Sequence, residues 1–179
     1  MISYGCILAF FFVYYILGYL PRKVKGGKAL GWNQETKRND KTITGVCKNN
    51  LVTEDEFAYV LKLLSSFGLA EAIPESLMDA VVSVSGSSPA YVFLFIEAMA
   101  DAAVADGMPR AQAYKFAAQA VLGSAKMVLE TGKHPAELKD MVCSPAGTTI
   151  QAVRVLEEKG LRSAVFEAQT ACVNKAKGM

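Results

Sequence analysis

The segment that most constrains the fold is the string AYVFLFIEAMADAAVAD at residues 90–106. Ser88 and Pro89 precede it, a hydroxyl suited to cap a helix and a proline suited to its first turn. Before its last residue, Asp106, only Glu97 and Asp101 interrupt the apolar surface, and they lie one helical turn apart. A helix that is apolar on nearly every side has to be buried on several of them. We therefore expect it to pack both within its own domain and against a partner.

A helix is also predicted from Thr53, because T-E-D-E is a capping box in which Thr53 and Glu56 satisfy each other's backbone amides. Apolar residues then recur at helical spacing, and Gly68 is expected to close the helix in a left-handed conformation. Pro74 opens a second, shorter helix that should end near Val82. The string SVSGSSPAY at residues 83–91 is interpreted as a tight connection between helices rather than a ligand-facing turn.

Further helix boundaries are predicted along the rest of the chain. Pro109 begins an alanine-rich helix that should run to about Thr131, before Gly132, and Pro135 begins a short helix that should end near Val142. Two further helices are expected on either side of Gly160. We find no alternating strand pattern after Asn50, so this part of the chain is predicted to be all-α.

The loop CSPAGTT stands between two of these helices and gathers polar groups at a helix start. Ser144, Thr148 and Thr149 supply hydroxyls, while Gly147 permits close backbone approach. The unpaired amides of a helix N-terminus can hold a carboxylate or phosphate. The alternative is simple helix capping, which on the residues alone is favoured by roughly three to one because most such clusters only satisfy backbone amides.

Charge and cysteine spacing exclude several classes of function. The net charge is +2 with no long run of one sign, so nucleic-acid binding is not indicated. The cysteines Cys6, Cys47, Cys143 and Cys172 are far apart, and His134 has no neighbour at ligand spacing, so neither a zinc site nor a disulfide framework is predicted. His134 is assigned no role, and the cytoplasm is the expected compartment.

The N-terminal part has a different character. Residues 1–20 contain no charged side chain and are followed by the basic string PRKVKGGK. They are long enough to span a bilayer, which would anchor the protein with the remainder in the cytoplasm. A signal peptide fits less well, because the segment has no basic start. The alternative is that residues 1–41 are a leader and linker produced by a displaced start or reading frame.

From about residue 44 to its end, the chain resembles the C-terminal domain of the pyrroline-5-carboxylate reductases. The strings that carry the resemblance are GVCKNNLVTEDE, SGSSPAY, KDMVCSPAGTTI, RVLEEKG and FEAQTACVNKA. The resemblance implies a helical dimerisation domain over residues 42–179, whose helices interlock between two subunits. The family reduces 1-pyrroline-5-carboxylate to proline, the last step of proline biosynthesis, with NADPH or NADH as hydride donor.

The resemblance also assigns roles in the CSPAGTT loop. It implies that Ser144, Thr148 and Thr149 bind the carboxylate of pyrroline-5-carboxylate or proline, and that Thr149 is the catalytic residue, whose hydroxyl lies nearest the ring nitrogen. Capping and substrate binding then coexist in one loop. The implied partners are a second copy of the chain or a full-length reductase.

The chain departs from the family pattern in one respect. No G-x-G-x-x-G follows a predicted strand in the printed sequence, and GGKALG at residues 26–31 has the wrong glycine spacing. We therefore expect the chain alone to bind no cofactor and to be inactive as a reductase. The competing interpretation is a non-catalytic helical dimerisation module, tethered to a membrane if residues 1–20 span one.

Overall fold

The structure is a computed structural model that describes residues 29–31 and 43–178. The apolar segment at residues 1–20 and most of the predicted linker lie outside the described residues. The chain divides into two compact units, one made of Met1–Ser88 together with Ala171–Met179 and the other of Pro89–Thr170.

The first unit contains a small mixed sheet. Strand β2 (Ile43–Val46) pairs antiparallel with β1 (Ala29–Gly31) and parallel with β3 (Leu69–Ala72). Helix α1 (Glu54–Leu64) connects β2 to β3. The described part of the chain is otherwise helical, so the predicted helical fold is confirmed.

Strand β3 corrects the expectation that no strand follows Asn50. Its sequence, LAEA, is too short for an alternating pattern to be recognised. It is a strand because β2 lies beside it in register, with Thr44 opposite Ala70 and Val46 opposite Ala72. Thr44 and Val46 are buried, whereas β3 itself is largely exposed.

The capping box of α1 is confirmed. The Glu56 amide donates to Thr53 Oγ1 at 3.3 Å, and the Thr53 amide donates to Glu56 Oε2 at 2.9 Å. The predicted role of Gly68 is wrong, because its backbone is extended (φ 159°, ψ −168°) and leads directly into β3. The helix instead ends through a 3₁₀ turn, Ser65–Phe67.

A single helical run, Glu75–Ala105, replaces the two helices expected on either side of residues 83–91. It begins as a 3₁₀ turn (Glu75–Leu77), continues as α2 (Met78–Val81), widens into a π-helix (Val82–Ser87) and becomes α3 (Ser88–Ala105). The predicted connection is therefore wrong, and Ser88 continues the helix instead of capping it.

The π-helix explains how a proline is accommodated inside this run. A π-helical bond from residue 89 would reach the carbonyl of Val84, but Pro89 has no N–H. The Ser88 hydroxyl donates to the Val84 carbonyl instead, and the Ser85 hydroxyl donates to that of Val81 at 2.8 Å. Hydroxyl side chains thus donate hydrogen bonds to backbone carbonyls around the irregular turn.

The second unit is entirely helical. After α3 come α4 (Arg110–Thr131), α5 (Pro135–Val142), α6 (Thr148–Glu158) and α7 (Leu161–Ala176), whose last residues belong to the first unit. The predicted breaks at Pro109, Gly132 and Gly160 are confirmed, and both glycines are left-handed, with φ values of 63° and 75°.

The buried core of the second unit consists of small side chains. Ala100 from α3 packs with Ala113 and Ala117 from α4, and Ile96 and Met108 are among the partly buried residues around them. Asp101 forms an ion pair with Arg110, whose guanidinium lies 5.8 Å from the ring centroid of Tyr114. The Asp101 hydrogen bond is the main reason that the pKa of Arg110 is raised.

Large apolar side chains remain exposed on both long helices. Those more than half exposed in α3 and α4 are Phe93, Leu94, Phe116, Leu122 and Leu129. By length and composition, Glu75–Ala105 is also the one helix in the described part of the chain that could cross a membrane. This is weak support for a membrane location, because a helix covered by another subunit has the same composition.

Candidate functional site

The candidate site is the loop between α5 and α6. Helix α5 is followed by its C-cap residue Cys143, whose amide donates to the carbonyls of Lys139 and Asp140 at 3.2 and 3.1 Å. Helix α6 begins at Thr148, with Gly147 as its N-cap residue. The predicted residues are therefore close together in the chain: Ser144 opens the loop, and Thr148 and Thr149 form the first turn of α6.

A tight turn shapes this loop. The Gly147 amide donates to the Ser144 carbonyl at 3.0 Å, which closes a four-residue turn with Pro145 and Ala146 at its centre. Ala146 has a φ of 57°, the one positive value at a non-glycine residue in the part of the chain described. A positive φ at the third position, after proline at the second, is the type II arrangement that normally requires glycine. The sequence prediction missed Ala146, although Pro-Ala-Gly is a recognisable turn signal.

Gly147 is required by the close approach of Ser144. A Cβ atom at position 147 would lie 2.3 Å from Ser144 Oγ and 3.1 Å from the Ser144 carbonyl oxygen. The Ser144 hydroxyl therefore lies directly beside the backbone at the start of α6. The prediction that Gly147 permits close backbone approach is confirmed.

The start of α6 borders the loop. Its N-cap residue is Gly147, which has no side chain to cap the helix. Its first amides therefore carry the partial positive charge of a helix N-terminus. Thr148 is exposed and Thr149 is half-buried. Capping and substrate binding by the serine and threonine hydroxyls both stay predictions.

Paired charges surround the loop. Lys139 Nζ lies 2.6 Å from Asp140 Oδ1, and this hydrogen bond is the main reason that the pKa of Lys139 is raised. The charge of Arg162 acts on Lys139 in the opposite direction. Arg162 Nε in turn donates to both oxygens of Glu157, at 2.8 and 3.0 Å. Both of these cations therefore have carboxylate partners.

His134 has a structural role that the sequence prediction missed. It is the N-cap residue of α5, and its Nδ1 accepts a hydrogen bond from the Ala136 amide at 3.1 Å. The signal was its position immediately before Pro135, a residue favoured in the first turn of a helix. Within the described residues there is no cluster of side chains that could hold a metal ion.

The family model for the pyrroline-5-carboxylate reductase dimerisation domain matches residues 75–179. The predicted boundary between residues 41 and 42 stays a prediction. The pyrroline-5-carboxylate reductase of Escherichia coli is 69% identical over 134 residues, which are 75% of this chain and 50% of the relative. The chain spans about half the length of the curated relatives it matches.

Solved structures agree. A pyrroline-5-carboxylate reductase from Coxiella burnetii is similar with a TM-score of 0.81 and 34% identity, over 93% of this chain and 61% of that one. The Plasmodium falciparum pyrroline carboxylate reductase, solved with NADP bound, has a TM-score of 0.72 and 32% identity, over 78% of this chain and 56% of that one. This chain therefore belongs to the pyrroline-5-carboxylate reductase family, and its residues 75–179 are the dimerisation domain of that family.

Proposed function

We propose that this chain contributes the dimer interface and the substrate-carboxylate loop to an NAD(P)H-dependent reduction of 1-pyrroline-5-carboxylate to L-proline, in proline biosynthesis. The observation that carries the proposal is the N-terminus of α6, whose N-cap residue Gly147 has no side chain and beside which Ser144, Thr148 and Thr149 lie. Family membership supplies the reaction, and the geometry of the loop supports the binding role.

Each of these residues has a proposed part in binding. The first amides of α6 and the hydroxyls of Ser144 and Thr148 hold the substrate carboxylate. Thr149, one residue further into the helix, donates a hydrogen bond to the ring nitrogen and so orients the imine carbon. The hydride itself is supplied by NADPH or NADH. The contribution of this chain is positioning and stabilisation of charge, which the fixed turn at Ala146 and Gly147 supports.

Association and location follow from the same proposal. The exposed apolar side chains of α3 and α4 pair with a second copy of the chain or with a full-length reductase, in the cytoplasm. The chain alone binds neither NADPH nor NADH, because the printed sequence carries no glycine-rich dinucleotide fingerprint.

A second candidate is a helical dimerisation module without catalytic function. The observation that favours it is the extent of exposed apolar surface on the run Glu75–Ala105, which is suited to association whether or not a substrate binds. The two candidates differ in ligand binding, since only the first requires that the α5–α6 loop binds the substrate carboxylate.

Titration of the full chain with L-proline, followed by NMR or calorimetry, tests the proposal. With proline, whose ring nitrogen is a protonated amine, the Thr149 hydroxyl oxygen accepts the hydrogen bond instead of donating it. Thr149→Val removes this bond and is expected to weaken binding about tenfold, equivalent to about 1.4 kcal/mol. Thr170→Val is the matched control, because Thr170 is an exposed helical threonine whose hydroxyl donates to the Phe166 carbonyl at 2.9 Å. Equal affinity of the two variants for proline would contradict the role proposed for Thr149. A chain that dimerises but binds no proline would favour the second candidate.

A further inference from the structure

Helix α5 leads directly into the α5–α6 loop, and it is short. It has 8 residues, Pro135–Val142, and is followed by Cys143 and Ser144. Helices of this length are only marginally stable by themselves, so the groups that cap their ends contribute a large share of their stability. The cap at the start of α5 therefore bears on the position of the loop at its end.

The side chain that caps α5 can be protonated. His134 Nδ1 accepts a hydrogen bond from the Ala136 amide at 3.1 Å, and the His134 carbonyl accepts one from the Leu138 amide at 3.2 Å. An imidazole accepts through Nδ1 only when it is neutral and carries its proton on Nε2. The imidazolium form has two N–H donors and no acceptor, so protonation removes the side-chain cap. It also places a positive charge at a helix N-terminus, where the helix dipole opposes it.

The charged groups of α4 and α5, the helices on either side of His134, do not offset this effect. His134 is exposed, so protons reach it from solvent, and the neighbouring Lys133 repels a second positive charge. The carboxylates of α4 and α5 are each paired with a lysine. These pairs are Lys126 with Glu130, Lys133 with Glu137, and Lys139 with Asp140.

Histidine side chains titrate between about pH 5 and 8, and His134 is the one histidine of the chain. We propose that His134 is a positioning residue, whose neutral form holds α5, and through it the α5–α6 loop, in the conformation described. The stabilisation is complete while the imidazole is neutral, and acid removes it because the uncapped form takes up a proton. This inference rests on the proposed function for its effect on substrate, and it adds a dependence on pH.

Amide hydrogen exchange, followed by NMR on the full chain without a histidine tag, tests the cap at about pH 7.5 and about pH 5.5. Exchange is expressed as a protection factor, which cancels its intrinsic pH dependence. Protection of the Leu138 amide is expected to fall about fivefold at the lower pH, the typical effect of a lost N-cap. The Phe57 amide is the matched control, because it donates to the Thr53 carbonyl at 3.0 Å in the same position of α1, whose N-cap hydroxyl does not titrate. Its protection should be unchanged.

Two variants separate the proton from the cap. Asparagine is a favoured N-cap residue that does not titrate, so His134→Asn should keep the Leu138 amide protected at both pH values, whereas His134→Ala should lose protection at both. The Gly147 amide, which donates to the Ser144 carbonyl at 3.0 Å, reports on the loop, and its protection should follow that of Leu138 in all three proteins. Circular dichroism establishes that the variants are folded, which is expected because position 134 is exposed.

Affinity for L-proline, measured on the same samples, is the functional readout. It is expected to weaken by about two- to fivefold at the lower pH in the wild-type chain and to stay constant in His134→Asn. Both charged groups of proline keep their charge over this range, so the ligand itself contributes no change.

Several outcomes would overturn the proposal. One is a Leu138 amide that is equally protected at both pH values in the wild-type chain, and another is the same pH dependence in His134→Asn. A change at Leu138 without one at Gly147 would limit the effect to α5 and refute a role in positioning the loop. If both amides respond as expected but the wild-type chain binds no proline at either pH, the positioning role is supported and the proposed function fails, so the two are distinguishable.

Discussion

At the scale of single residues, Ala146 and Gly147 in the α5–α6 loop are restricted in different ways, one by its backbone conformation and the other by lack of space for a side chain. Ala146 has a left-handed φ, which costs a residue with a Cβ about 1–2 kcal/mol. Gly147 has an ordinary φ of −72° but no room for a Cβ beside Ser144. Ala146 therefore has a side chain that its backbone conformation disfavours, whereas Gly147 has none because a Cβ there would clash with Ser144. Strain of this kind is concentrated at binding sites.

Ala146→Gly is expected to raise the free energy of unfolding by about 0.5–1 kcal/mol. The substitution removes the strain of the positive φ, and the gain is reduced by the greater flexibility of glycine in the unfolded chain. Chemical denaturation measures the change. The control is Ala152→Gly, at an exposed position in α6, which should lower stability by about 1 kcal/mol. Equal losses at the two positions would contradict the assigned turn.

At the scale of elements, the π-helix decides whether Glu75–Ala105 is one helix or two. Serine, glycine and proline at residues 83–89 are the signals that normally end a helix. Here the helix widens into a π-helix before Pro89, so that its hydrogen bonds reach one residue further back. The Ser88 hydroxyl donates to the Val84 carbonyl, to which Pro89 cannot donate because it has no N–H. Ser87 adds a longer-range contact, because its Oγ lies 3.2 Å from Cys172 Sγ in α7. Local breaking signals are thus overcome by side-chain hydrogen bonds and packing.

Ser88→Ala is expected to lower the free energy of unfolding by about 1 kcal/mol, because the Val84 carbonyl loses a hydroxyl donor where Pro89 supplies no amide. Ser124→Ala is the control. The Ser124 hydroxyl also donates to a carbonyl four residues earlier, that of Ala120 at 2.8 Å, but within a regular helix whose amides already bond to the carbonyls. Its substitution should change stability by less than about 0.5 kcal/mol. Thermal and chemical denaturation of both variants measure the difference, and a cost at Ser124 equal to that at Ser88 would refute the explanation.

At the scale of the whole molecule, the buried core is small compared with the apolar surface that remains exposed. In the second unit, the buried hydrophobic residues among those described are three alanines, Ala100, Ala113 and Ala117. Leu94 and Phe116 are each 67% exposed. Burial of a large apolar side chain stabilises by roughly 1.5–3 kcal/mol, so a few such residues are comparable with the net stability of a domain, about 5–15 kcal/mol. A two-fold interface between copies would cover them.

We therefore predict that a protein of residues 42–179 is a dimer across micromolar dilution, as measured by light scattering. Phe116→Asp should convert it to a smaller or unfolded species, because the charge would be buried at the interface. The control is Tyr59→Asp, since Tyr59 is 63% exposed in α1, outside the matched dimerisation domain. Its substitution should leave the mass unchanged. A folded wild-type monomer would contradict the prediction.

Much of the fold could be predicted because the helix boundaries depend on neighbouring residues. The Thr53 and Glu56 cap, Pro109, Gly132 and Gly160 act within one turn of the chain, and each has the predicted structural effect. The α5–α6 loop could likewise be recognised as a candidate site from the sequence, since hydroxyl side chains and a glycine lie beside a predicted helix start. The binding roles of Ser144, Thr148 and Thr149 stay predictions.

The sequence by itself determined where most helices begin and end, because capping groups and left-handed glycines act on amides and carbonyls no more than a few residues away. Only the tertiary structure decided that Leu69–Ala72 is a strand, since its hydrogen bonds come from Ile43–Val46, a segment separated from it by a whole helix. It also decided that Gly68 is extended and that the helix continues through Pro89. In these cases the local signals favour another conformation or none, and hydrogen bonds that those signals do not reveal determine which one the chain adopts.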